Sequence, residues 1–144
     1  MRVMVIVKAT ADSETGRLPT ADEFAEMGAF NEALAQAGIL QMADGLKPTS
    51  AARRVRFSGK DRTVIDGPFG PAQDQIAGFW IWNVKSMEEA IAWVKRCPNP
   101  MREDSDIEIR PFFEAEDLGD GFTPELQAKL EKQREKIADN QRRG

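Results

Sequence analysis

Histidine is absent from all 144 residues. Ser-His-Asp triads, Cys-His pairs, imidazole-ligated zinc or iron and imidazole acid–base catalysis are therefore excluded. The single cysteine, Cys97, rules out an internal disulfide and any multi-cysteine metal centre. With no imidazole base to activate it, a structural thiol is the expected reading. No Asp-x-Asp-x-Asp-Gly loop occurs, so neither a metal nor another cofactor is expected. No apolar run approaches the roughly 18 residues of a membrane span, and no small-residue cleavage site follows the apolar stretch at residues 2–7. A cytoplasmic location without a membrane partner is the expectation. A net charge of -4 and a pI near 5.0 argue against a nucleic-acid partner.

What is present suits one ordinary folded domain: 41% apolar and 31% charged residues in a chain long enough for a single core. Residues 2–8 set Val3, Val5 and Val7 on one face and Met4 and Ile6 on the other, which predicts a central strand apolar on both sides. Thr20-x-x-Glu23 is a capping-box signature. After it, Phe24, Met27, Phe30 or Asn31, Leu34 and Ala37 recur at helical spacing, predicting a helix over 21–37. Gly45-Leu46-Lys47-Pro48 marks a short segment with an extra strand or bend near 40–50. Residues 53–66 read as a hairpin turning at Gly59-Lys60-Asp61, and 76–84 as a buried strand. Ser86-x-x-Glu89 opens a second helix, in which Ala90, Ile91 and Val94 share a face, and 105–113 is the last strand.

In order these elements make an α+β, ferredoxin-like βαββαβ plan. Such a sheet carries helices on one face, so its other apolar face predicts a homodimer, two sheets packed back to back as a dimeric α/β barrel. The domain is expected over 1–113. Residues 114–144 form an acidic linker and a helical arm, capped by Thr123-Pro124 and striped by Leu126, Leu130 and Ile137.

The run Val64-Ile65-Asp66-Gly67-Pro68-Phe69, the strand Gly78-Phe79-Trp80, the helix start Ser86-Met87-Glu88-Glu89-Ala90 and the closing Ile107-Glu108-Ile109-Arg110-Pro111 together resemble the YciI-like, DGPF-domain (YCII-related) family. That resemblance implies the dimeric α/β barrel. For function it implies a His-Asp pair, lyase-type chemistry that removes chloride from a hydroxylated ring, or, for DGPF-type members, a regulatory role beside extracytoplasmic-function sigma factors. Two departures stand out: the histidine is missing, and no carboxylate occupies Cys97-Pro98-Asn99-Pro100, where such proteins often carry an acid after the second helix.

Several side chains carry two readings each. Asp66, at a strand end, is either a general base raised by desolvation at a barrel mouth or an acceptor for the turn backbone. Trp80 and Trp82 share a face by period two, as walls of an apolar pocket or as packing. Lys8 and Arg56 are candidate anion partners or solvated strand ends. Arg53, Arg54, Arg56, Lys60 and Arg62 form an anion-binding strip or a guard against edge-to-edge aggregation. The reading these support is a protein that binds a small aromatic or anionic molecule, with lyase or isomerase activity carried by Asp66 and binding by Lys8, Arg56, Phe69, Trp80 and Trp82. The alternative is a non-catalytic regulatory or interaction module.

Overall fold

The computed structural model describes residues 1–144 and divides into two units, Met1–Phe112 and Phe113–Gly144. The first unit is α+β. Its strands and helices run β1 (Arg2–Lys8), α1 (Ala11–Glu14), α2 (Ala21–Gln36), β2 (Leu40–Gly45), β3 (Arg53–Ser58), β4 (Asp61–Asp66), β5 (Ile76–Asn83), α3 (Met87–Arg96) and β6 (Ile107–Pro111). Four strands form one antiparallel sheet in the order β2-β5-β1-β6, the strand order of a ferredoxin-like fold. β1 is central, as its two apolar faces require.

The expected plan needs one correction. The hairpin expected within the βαββαβ plan is β3-β4, and these strands pair only with each other, as a separate two-stranded sheet. The strand that completes the sheet is instead β2, read from the sequence as an extra strand or bend. It sits at the sheet edge, and its pairing with β5 slips between Leu40 and Met42, so Gln41 interrupts the alternation that would have identified it. The hairpin is therefore an insertion between β2 and β5. Its alternation and tight turn are real but local.

Register decides which side chains meet the helices. Val3 faces Trp82, Val5 faces Trp80 and Val7 faces Gly78 across the β1-β5 ladder, so both tryptophans join the valines in the buried core. Phe30 and Leu34 of α2 and Ala90 of α3 close that core. Of the α3 stripe, Ala90 and Val94 pack inward, while Ile91 is exposed and Trp93 takes its place. The capping boxes expected from the sequence are formed in part: Thr20 and Glu23 exchange both bonds, and Ser86 Oγ accepts the Glu89 N–H.

Residues 67–70 fold against the segment before the hairpin. The Gly67 N–H donates to the Ala52 carbonyl at 3.0 Å, and the Phe69 N–H donates to Thr49 Oγ1 at 2.9 Å. The Thr49 hydroxyl donates in turn to the Glu14 carboxylate, which also accepts the Thr49 N–H. Gly67 lies so close to this segment that a Cβ there would stand 1.8 Å from the Thr49 carbonyl oxygen. The glycine of Asp-Gly-Pro-Phe is thus required by close backbone approach, independent of any chemistry.

The second unit contains a short 3-10 turn at Ala115–Asp117 and the helix α4 (Pro124–Arg143), capped by Thr123 as expected. No residue of α4 is buried, and Leu126 and Ile137 are exposed. No helix of the protein is long and apolar enough to cross a membrane.

Gly67→Ala is expected to lower stability by about 1–3 kcal/mol, the range of overpacked sites, because the blocking atoms are backbone and cannot rotate away. Gly70→Ala, with nothing within 4 Å of the added Cβ, is expected to stay within about 0.5 kcal/mol of the parent. Urea denaturation of the two variants checks this, and equal losses would remove the steric explanation.

Candidate functional site

A cleft of about 780 Å³ opens in the first unit, within the range of small-molecule pockets. It lies between the end of the sheet, the start of α2 and the loop after α3. Its origin can be traced to the register. On the helix-facing side, the rows Leu40–Trp82–Val3 and Ala43–Trp80–Val5 carry large side chains, but the next row is Gly45–Gly78–Val7. Two glycines side by side leave the space above them unfilled. Gly78 is itself held close to β2, where an added Cβ would sit 3.1 Å from the Asp44 carbonyl oxygen; an added Cβ on Gly45 would meet nothing within 4 Å.

Trp80 forms the inner end of this space. Its indole Nε1–H donates to Asn31 Oδ1 at 2.8 Å, and its ring meets Phe30 edge-on at 6.1 Å. The indole acceptor need is thereby satisfied at Asn31, whose amide nitrogen keeps its own donors for another partner. Met27 and Phe24 of α2 continue the wall. Phe24 begins the predicted apolar stripe yet is 60% exposed, because it faces the cleft instead of the core.

The loop after α3 forms the opposite side. The Asn99 side chain ties it internally, accepting from the Met101 N–H and Ser105 Oγ. The Arg102 guanidinium donates to Glu23 Oε1 at 2.6 Å and to the Leu18 carbonyl at 3.4 Å, joining this loop to the start of α2. Arg102 first, and the Thr20 N–H second, hold the Glu23 carboxyl at about 2, well below the usual carboxylate range. Glu23 is accordingly an ionised clasp and supplies no acid. Glu14 is engaged with Thr49 and Asp12 is paired with Arg17, which leaves Glu26; Asp44 is also on the lining, but it pairs with Phe79 and its side chain therefore lies on the other face of the sheet.

Of the side chains singled out from the sequence, Trp80 alone lines this cleft. Trp82 is completely buried beneath Phe30, with its indole N–H unpartnered. Asp66 and Arg56 lie on the separate hairpin, where Asp66 is 74% exposed and pairs with Arg53 at 2.8 Å. Phe69 stacks under the Arg54 guanidinium at 3.8 Å. Lys8 closes β1 opposite Ile76, past an irregularity in the ladder. These residues are therefore distributed over three places and do not converge. Burial pushes the Cys97 thiol up to about 11, so it stays protonated at neutral pH, donating to the Pro98 carbonyl. No group of three or more His, Cys, Asp or Glu side chains comes together as a metal site.

Asn31, Gly45, Gly78 and the Glu23–Arg102 pair escaped the sequence reading. Asn31 left a trace as the polar residue competing with Phe30 for the helical stripe, and Gly78 as a glycine inside an apolar strand, the mark of open space or close approach. The pairing of Glu23 with Arg102, 79 residues apart, left none.

The clasp has a pH signature. Since the folded-state pKa of Glu23 lies below its ordinary value of 4.5, the pair adds stability above that value and loses it as pH falls from about 4.5 to about 2. Glu23→Gln is expected to be less stable than the parent at pH 7 and to converge with it near pH 2. Urea midpoints across this window test it; a gap that stays constant with pH would refute the ionic contribution.

The chain is similar over 87 residues, at 30% identity, to an uncharacterized protein of Rhizobium meliloti (strain 1021), a match covering 60% of this chain and 70% of that one. The YCII-related domain matches residues 1–114, the span that holds the sheet, the hairpin and the cleft. The protein therefore belongs to the YCII-related family.

Proposed function

We infer that the protein binds a small, planar organic molecule in the cleft between α2 and the loop after α3. The observation that carries this reading is the glycine row Gly45–Gly78, which leaves an unfilled space beside the Trp80 indole after two packed rows. A flat ring fits such a slot. Asn31 supplies an amide donor for a carbonyl, phenolate or carboxylate oxygen, and Phe24, Met27 and Met101 supply apolar and thioether walls. With no histidine and Glu23 held ionised, lyase or isomerase turnover in this cleft falls to Glu26. Asp66, the acid of the family motif, lies outside the cleft lining and is better suited to the hairpin role described below.

Hydroxybenzoates are the first probes to titrate, with tryptophan emission as the readout. A saturable change is expected in the parent chain and a loss of at least tenfold in affinity in Gly45→Val, whose added Cβ meets nothing within 4 Å. Binding that is unchanged in Gly45→Val would move the ligand elsewhere. An absence of binding across hydroxybenzoates and their chlorinated relatives would favour a non-catalytic interaction module.

A second copy is proposed to cover the other face of the sheet, completing the barrel. Met4, Phe79 and Ile81 stand on that face only partly buried, around the buried Ile6, and Met42 extends the strip at the edge. Ile81→Asp is expected to halve the mass seen by sedimentation velocity, and an unchanged mass would overturn this arrangement.

A further inference from the structure

We propose that the β3-β4 hairpin pairs edge to edge with the hairpin of a second copy, β4 against β4, so that Asp66 of each chain is clamped between its own Arg53 and Arg62 of the other. This does not depend on the cleft or on the contact through the sheet face.

The hairpin as it stands is an incomplete structure. A lone two-stranded sheet is marginal in water, and three or more strands with an apolar face are needed for independent stability. Yet every residue of β3 and β4 is exposed, including Phe57 at 72% and Val64 at 65%. One face carries Val55, Phe57 and Val64 together.

The two free edges differ. Along β3 stand Arg53, Arg54 and Arg56 with no acid among them, so a second β3 would bring arginine against arginine. Along β4 the sequence is Asp61-Arg62-Thr63-Val64-Ile65-Asp66, with an acid at each end, one arginine beside the first, and three uncharged residues between. That edge has neither proline nor lysine to block pairing.

The ladder parity selects the register. The Gly67 N–H donates to the Ala52 carbonyl, so Ala52 and Gly67 form a hydrogen-bonded pair. By alternation the pairs Arg54–Ile65, Arg56–Thr63 and Ser58–Asp61 are hydrogen-bonded too, and the backbone groups of Arg62, Val64 and Asp66 point to the outer edge. A two-fold axis through Val64 then joins Val64 to its counterpart and Arg62 to Asp66 of the second copy. All three outward-pointing residues find complementary partners in this one register. The four-stranded sheet would carry Val55–Val64–Val64–Val55 across its centre. The row on each side would run Phe57–Arg62–Asp66–Arg53, with Phe57 and Arg62 from one chain and Asp66 and Arg53 from the other. Arg62 already lies 4.3 Å above Phe57, and Arg53 already bonds Asp66 at 2.8 Å, so each row is half assembled within a single chain. Each contact is returned by symmetry, as a closed two-fold interface requires.

The test is site-directed disulfide formation in the full chain, with Cys97→Ser to remove the native thiol. Val64→Cys places two thiols across the axis, with Cα atoms about 5.5 Å apart, within disulfide range. Val55→Cys, on the same face one strand back, is separated from its counterpart by about 14 Å, three strand spacings. On mild oxidation with diamide, Val64→Cys is expected to form a covalent dimer at least tenfold faster than Val55→Cys. In the Val64→Cys chain, Asp66→Lys is expected to suppress the linkage by a similar factor. Equal rates for the two cysteines, or linkage indifferent to Asp66→Lys, would overturn the proposal. So would a chain that sediments as a dimer through its sheet face while Val64→Cys stays unlinked, and in that case the sheet-face contact would stand.

Discussion

The antiparallel register of β1 against β5 is the constraint on which the rest of the domain depends. It sets Trp80 and Trp82 on the helix side beside Val5 and Val3, where Phe30 meets both rings and Trp93 of α3 as well. All three tryptophans of the chain thus converge on one phenylalanine. A shift of one residue would send both β5 tryptophans to the opposite face, put Phe79 and Ile81 beneath the helices in their place and break the contacts of Phe30 with both indoles. Aromatic pairs at these separations add to simple burial, so the cluster fixes helix positions as well as contributing apolar area.

The same register produces the cleft as its by-product. Packing that is continuous through two rows stops at the third because Gly45 and Gly78 are neighbours across β2 and β5. Trp80 therefore has two roles on one side chain: its ring completes the core, and its N–H orients Asn31 at the edge of the space the glycines leave. The Glu23–Arg102 pair joins the two walls by a contact that stays partly exposed, which suits a clasp more than a structural pin. The Asp-Gly-Pro-Phe segment serves a different end. Gly67 permits close approach to Thr49, Phe69 is held by Thr49 and Arg54, and Asp66 is left at the end of an exposed hairpin.

Elements with a complete local signal were readable directly. The period-two pattern of β1 and β5, the capping residues Thr20 and Ser86, and the Thr123-Pro124 start of α4 are each explained by interactions within a few residues. α1, four residues long with its Thr10 and Ser13 box, was too short to show a period. The candidate site was much less legible. Only Trp80 was anticipated, because a cleft is formed by residues distant in sequence, and glycine advertises the absence of a side chain without saying what surrounds the gap.

By itself the sequence determined the local conformations, the two-faced character of β1, the hairpin turn, and the exclusion of imidazole and multi-thiol chemistry, since these follow from residue identity and spacing alone. Tertiary structure decided that β2, and not the hairpin, completes the sheet, which tryptophan borders open space, and which carboxylate is held ionised. Those outcomes rest on strand register and on pairings such as Glu23 with Arg102, whose partners are brought together only by folding and leave no periodic trace along the chain.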